Sequence, residues 1–202
     1  MLLCSGDCEV NLIAVSKMVA AEKIAAAIKA DIKIFGENYV NEAKAKWLSL
    51  KEKYPQIKLH LIGHLQSNKA EEALKLFDVI QTLDSEKLAK ILAIEMKKLN
   101  KFPEIFVQIN IGEEAQKHGI APTNANQFIK FARDDCNLPI IGVMGIAPLH
   151  SNPAPYFSLL KQIAHNNNLP NISMGMSDDF ATAIALGANH IRIGSAIFGK
   201  RK

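Results

Sequence analysis

Eight short apolar runs, often β-branched, recur along the chain at 11–17, 33–37, 58–64, 79–83, 104–110, 140–146, 171–176 and 190–194. Between them lie segments whose apolar residues return at helical spacing, at 20–30, 39–53, 67–76, 85–99, 123–135, 153–167 and 178–187. Short runs bounded by turn residues read as strands, and the longer amphipathic stretches read as helices. Asp84 or Ser85, Thr123 and Ser177 stand before three helical segments, where an N-cap belongs. Strict strand–helix alternation demands right-handed crossovers and a parallel sheet. Eight repeats favour a sheet closed on itself over an open, doubly wound one. The expected fold is therefore α/β, a single-domain (β/α)8 TIM barrel spanning residues 1–202, with short loops.

Composition removes several function classes. With 49% hydrophobic and 22% charged residues the chain is rich enough in apolar side chains to bury a core, which argues against disorder. The net charge of +4 comes from lysines scattered along helical segments such as "NEAKAKWLSLKEKY", so no nucleic-acid footprint is expected. Cys4, Cys8 and Cys136 cannot all pair within one chain, and none has metal or redox spacing, which suits a reducing cytoplasm. The opening "MLLCSG" has no basic leader, and no apolar run is long enough to span a bilayer. A cytoplasmic monomer with no membrane partner is expected.

A closed barrel gathers the C-terminal ends of its strands into one mouth, where ligands bind. The residues at those ends are Lys17, Glu37, Asn38, His64, Leu83, Asp84, Asn110, Gly145, Ser177, Arg192, Gly194 and Ser195. Lys17, in "NLIAVSKMVA", ends the first strand run, and an amine set in a partly apolar mouth is a nucleophile able to condense with an aldehyde. The loops after strands seven and eight, the usual phosphate site of such barrels, read "SMGMSDDF" and "RIGSAIFG". Ser177 would open a helix whose free N–H groups favour an anion; Gly194 permits close backbone approach and Ser195 adds a hydroxyl. Asp178 and Asp179 are expected to turn away from that anion. Arg192 suits either an internal ion pair or a fixed donor aimed at a ligand heteroatom. Lysine, phosphate cradle and arginine together describe a pocket for pyridoxal 5′-phosphate.

Other signals carry less. "GSAIFGK" at 194–200 imitates a P-loop, but Arg201 occupies the Ser/Thr position. His60 and His64 lie on a strand with no carboxylate or cysteine at matching spacing, so they read as core or rim histidines. Trp47, Leu48 and Leu50, and the stretch "KILAIEM" at 90–96, read as buried helix faces.

"AVSK", "FGENYVNEA", "HLIGHLQSNKA", "SMGMSDDFATAI" and "RIGSAIFG" resemble, in order and separation, the pyridoxal phosphate homeostasis protein family, also called the YggS/PROSC type. The resemblance runs from about residue 12 to residue 200. It implies the alanine racemase-like barrel, Lys17 joined to pyridoxal 5′-phosphate as a Schiff base, and Ser177, Gly194 and Ser195 on the phosphate. It further implies Arg192 facing the pyridine nitrogen, Asn38 near the ring and His64 lining the mouth. Such a protein buffers and carries the cofactor, with PLP-dependent apoenzymes as partners. The alternative is a PLP-dependent racemase or decarboxylase of the alanine racemase type, which needs a second acid–base group opposite Lys17; Tyr39 is the candidate. Ser195 replaces the family's usual threonine with the hydroxyl kept. Gly145 stands where a threonine is common, which loosens the expected pocket wall. No role is carried onto Lys117 or His118, where "EEAQKHGI" departs from the usual "EESKSGL". About ten residues precede the first strand where relatives have a long helix, so one side of the barrel is expected to lack cover.

Overall fold

The computed structural model describes residues 2–3 and 9–199; Cys4, Cys8 and the end of the P-loop-like stretch lie outside them. The eight expected strands are present as β1 Glu9–Val15, β2 Ile34–Glu37, β3 Lys58–Leu61, β4 Val79–Leu83, β5 Glu104–Ile109, β6 Ile140–Gly145, β7 Asn171–Ser173 and β8 His190–Ile193. Each pairs in parallel with the next in sequence, and β8 returns to β1 from Asn11↔His190 to Ala14↔Ile193, which closes the barrel. The dipeptide Leu2–Leu3 adds a short antiparallel ladder to the start of β1.

Helices alternate with the strands: α1 Ala21–Lys29, α2 Val40–Lys53, α3 Ala70–Leu76, α4 Glu86–Leu99, α5 Ala125–Lys130, α6 Ala154–Asn166, α7 Phe180–Ala185 and the four-residue α8 Ser195–Phe198. Ser85 caps α4, its Oγ accepting from the Leu88 N–H at 3.3 Å. Thr123 caps nothing: it lies inside a 3-10 turn, Pro122–Asn124, that feeds α5. Proline's fixed φ favours that extra turn before the helix proper.

Two apolar layers follow from strand alternation. Residues facing outward join the buried faces of the helices in one cluster that includes Phe35, Trp47 and Phe157, with the Phe35 and Trp47 rings 5.0 Å apart. Side chains of this size contribute about 1.5–3 kcal/mol each when fully buried. Val79, Phe106 and Met144 form a second cluster with no helical residue in it, which places them inside the barrel. They share the interior with buried His60, Gln81, Ser173, His190 and Arg192. Leu48 (55% exposed) and Ile94 (64%) correct the expectation that whole apolar stretches of α2 and α4 are covered, because each lies on its helix's solvent side. Gly145 also departs from expectation. A Cβ there would stand 3.0 Å from both Ile111 and Leu160, so the bare glycine lets those side chains pack closely on the outside of the barrel, and Gly145 does not line the cavity described below.

Candidate functional site

Between the C-terminal ends of β1, β7 and β8 lies a cavity of about 640 Å³, within the range of small-molecule pockets. Lys17, Ser177, Arg192, Gly194 and Ser195 all line it. After β7 the chain turns at Met176, whose carbonyl accepts from Asp179 N at 3.2 Å and Phe180 N at 2.9 Å, so the helical turn begins there. The Asp179 carboxylate reaches back to the Met176 N–H at 2.6 Å, the reciprocal half of a capping box. Asp179 is thereby turned onto its own backbone, as expected, whereas Asp178 forms part of the cavity wall. The next N–H groups, of Ser177 and Asp178, have no earlier carbonyl of the turn to bond. Gly194 repeats this arrangement for α8, its carbonyl accepting from Ile197 and Phe198 N–H at 3.0 Å each. The Ser195 hydroxyl donates to Ser177 Oγ at 3.1 Å, which joins the two helix ends. Two hydroxyls and the first N–H groups of two helical turns thus stand together, donors that could hold an anion.

Opposite it, Lys17 sits half-buried in a turn closed by Val19 N donating to Ser16 O at 3.1 Å. Met18 takes a left-handed φ of 59° at the third position of that turn. Its N–H thereby reaches Glu42 Oε1 at 2.5 Å. On the other flank of Lys17, the Ser16 hydroxyl donates to fully buried Glu37 at 2.6 Å, and Trp47 Nε1 donates to the same oxygen at 3.0 Å. The Lys46 ammonium lies 2.8 Å from Glu37, Glu42 and the Ser16 carbonyl alike. Burial pushes the Glu42 carboxyl up, but the hydrogen bonds from Lys46 and Met18 and the charges of Lys46 and Lys17 outweigh it and hold it below the usual carboxylate range.

Arg192 is buried to 4% exposure, and no carboxylate among the described residues hydrogen-bonds it. Of the two roles expected for it, the internal ion pair is absent among the described residues. Its Nη1 donates to Ser173 Oγ at 2.7 Å and its Nη2 to the Gly145 carbonyl at 2.9 Å. The Ser173 hydroxyl donates onward to Gln81 Oε1 at 2.7 Å, and the Gln81 amide meets His60 Nδ1 at 2.9 Å. Burial, with the charges of His190 and Lys58 added, lowers the His60 pKa to about 3, so the ring is neutral. A neutral ring accepting at Nδ1 completes a chain in which every donor points away from Arg192. Burial also lowers the Arg192 pKa to about 10, against the opposing charge of Asp179, and the guanidinium remains cationic at neutral pH.

Asn38 follows β2 but is not part of the cavity wall; its Oδ1 is buried without a hydrogen-bond partner, and its backbone is pressed against Gly63. His64 lies at the mouth on Asp84, 3.0 Å away. Sequence reasoning placed Glu37 at the mouth but missed the clamp that Glu37, Glu42 and Lys46 form around the lysine turn. A carboxylate closing an otherwise apolar strand, "KIFGE", was the available signal. The Ser173–Gln81–His60 support of Arg192 carried no local signal, since its members lie on three separate strands.

Comparison with known proteins places these observations. A sequence model of the alanine racemase N-terminal domain matches residues 4–202. The chain is 34% identical over 201 residues to the pyridoxal phosphate homeostasis protein of Aquifex aeolicus, covering 95% of this chain and 87% of that protein. It is 37% identical to the human protein of the same name over 95% of this chain and 76% of that one. Among solved structures, PipY of Synechococcus elongatus without PLP superposes with a TM-score of 0.89 at 36% identity, covering 94% of this chain and 93% of that one. The same protein with PLP bound superposes at 0.84 and 34% identity, over 94% and 92% of the two chains. An alanine racemase of Clostridium difficile shares the fold at 14% identity, with a TM-score of 0.77 over 96% of this chain and 53% of that one.

Proposed function

The chain belongs to the pyridoxal phosphate homeostasis protein family, and from that membership we propose that it binds PLP in the Lys17 cavity and carries the cofactor within the cytoplasm. The observation that carries this reading is the meeting, in a single cavity of about 640 Å³, of the half-buried Lys17 with the paired helix starts at Ser177 and Ser195; Lys23, the other lysine of the wall, is exposed on the first turn of α1. PLP supplies an aldehyde that condenses with an amine, and a phosphate that needs donors. The residues present fit both ends. Lys17 would hold the aldehyde carbon, while the Ser177 and Ser195 hydroxyls and the N–H groups around Ser177 and Gly194 would hold the phosphate. Arg192 would face the ring nitrogen as a pure donor, its other contacts being neutral. Asn38 does not line the cavity, so its proposed place near the ring rests on the family resemblance and on its buried, partnerless Oδ1 alone.

The carrier reading is preferred to the racemase or decarboxylase reading by what surrounds Lys17. Racemisation needs an acid–base group on each face of the reacting carbon. Tyr39 is 62% exposed at the start of α2, and among the described residues no tyrosine or histidine lines the cavity. Lys17 serves one face, and Lys23, the other lysine of the wall, is an exposed side chain of α1 rather than a group held against the other face.

Titration of the purified protein with PLP, followed by borohydride reduction and peptide mapping, tests the assignment. The expected result is a protein-bound absorption band and a reduced adduct on Lys17, both missing from Lys17→Ala. An adduct spread over surface lysines would overturn it. Incubation of the PLP-loaded protein with single-enantiomer amino acids then separates carrier from enzyme: unchanged enantiomers and keto-acid levels are expected, and turnover would favour the enzyme.

A further inference from the structure

Three mouth loops on the far side from the lysine bring together side chains that the PLP site leaves unused. His64 follows β3, Asp84 follows β4 and His118 lies in the long loop after β5. His64 Nδ1 is 3.0 Å and His118 Nδ1 3.6 Å from the same oxygen, Asp84 Oδ2. The three donor atoms lie within 4.8 Å of one another. The two imidazoles stack at 3.7 Å with 9° between their planes, so their lone pairs run parallel, and one ring must turn about its Cα–Cβ bond for both to meet a single ion; with side chains 38% and 56% exposed, both rings have room to do so. Donors around a tetrahedral zinc with bonds near 2.0–2.1 Å stand about 3.4 Å apart, and the two nitrogen–oxygen separations bracket that value.

Each donor rests on a braced loop. The turn before His64 is held by Thr82 Oγ1 donating to the Gly63 carbonyl at 2.9 Å. Asp84 precedes the Ser85 cap of α4, and its side chain is only 7% exposed. The His118 loop folds back on β5: Asn110 N donates to Ile120 O at 2.9 Å, Ile120 N to Gln108 O at 2.8 Å, and the Gln108 amide to the His118 carbonyl at 3.0 Å. Gly119, at φ 126°, permits the close approach, since a Cβ there would stand 2.6 Å from Asn110 N.

We infer that His64, Asp84 and His118 form a binding site for one divalent transition-metal ion of the zinc class, with a coordination position left open toward the mouth. Two imidazoles and one carboxylate suit zinc, nickel or copper rather than the oxygen-ligated magnesium or calcium. None of the three residues lines the Lys17 cavity, so the site stands apart from the PLP reading.

Equilibrium dialysis of thiol-alkylated protein against Zn2+, with elemental analysis, tests it; alkylation removes cysteine as a competing ligand. One equivalent of zinc is expected in the wild type and in Lys17→Ala. His64→Ala and His118→Ala, with circular dichroism confirming their fold, should each bind at least about tenfold more weakly, the size of effect known even for outer-shell partners. No stoichiometric uptake by the wild type, or undiminished uptake by either histidine variant, would overturn the assignment.

Discussion

The turn that carries Lys17 is pinned by two carboxylates and an ammonium, whereas Arg192, across the same cavity, rests on a serine, a carbonyl, an amide and an uncharged imidazole. The first arrangement sits in the layer between barrel and helices, where Lys46 (13% exposed) supplies the opposite charge that a buried Glu37 requires. The second sits inside the barrel, and among the described residues no carboxylate hydrogen-bonds the guanidinium. Charge is thus met by opposite charge around the lysine turn, while the guanidinium of Arg192 is held by neutral groups. A scaffold of neutral dipoles can orient a cation without quenching it.

Breaking the charged clamp should have the largest effect. Glu37→Ala leaves Lys46 short of a partner and strips Ser16 and Trp47 of their acceptor, and should destabilise the fold by about 3–5 kcal/mol in urea unfolding, the usual cost of halving a buried ion pair. Acid separates the two regions. Burial, then the charges of His190 and Lys58, lowers His60 to about 3; burial, then the charges of Arg192 and Lys58, lowers His190 to about 4. The unfolded chain therefore takes up these protons first as the pH drops below 6.5, and by pH 5 the interior should have lost roughly 2 kcal/mol per histidine. His60→Gln should remove about half of that decline in the urea midpoint. The clamp responds lower: with its folded pKa depressed, Glu42 contributes fully above its unfolded value of 4.5, and that contribution is lost as the pH falls through the folded value. Stability measured from pH 7 to 3 should thus show an early descent that His60→Gln halves and a later one that Glu42→Gln reduces.

Ser173→Ala cuts the interior chain at its middle. It should cost about 1–3 kcal/mol, because Gln81 Oε1 loses its donor and an Arg192 N–H its acceptor. The smallest change serves as the reference: Ser85→Ala removes a helix cap that belongs to neither region and should cost about 1 kcal/mol by the same assay. A Ser173→Ala effect no larger than that of Ser85→Ala would dissolve the contrast between the two supports.

The strands and helices were legible because their periods are local: β-branched runs such as "EIFVQIN" and the Ser85-capped "EKLAKILAIEM" announce themselves within a few residues. The same locality explains the misses. Thr123 looked like a cap because a helix begins near it, and only the extra turn at Pro122 showed otherwise. Leu48 and Ile94 were assigned to the core by type, whereas their angular position on the helix decides. At the mouth, the strand-end rule brought Lys17, Ser177, Arg192, Gly194 and Ser195 to one cavity and left Asn38 outside its wall. The His64–Asp84–His118 cluster escaped because its members come from three loops with no common spacing, and His60, which does have spacing with His64, is bound elsewhere.

Barrel closure has a consequence in time as well as in space. The cavity straddles the seam where the last strand meets the first: Lys17 comes from the end of β1, and the anion cradle from the turns after β7 and β8. A chain emerging from the ribosome holds its lysine early and its cradle only when β8 has been made and docked. A small molecule that touches both sides of the seam stitches the ring shut and stabilises the closed form by mass action. A ligand held across this seam would therefore report that β8 has docked on β1, a step that comes last in synthesis.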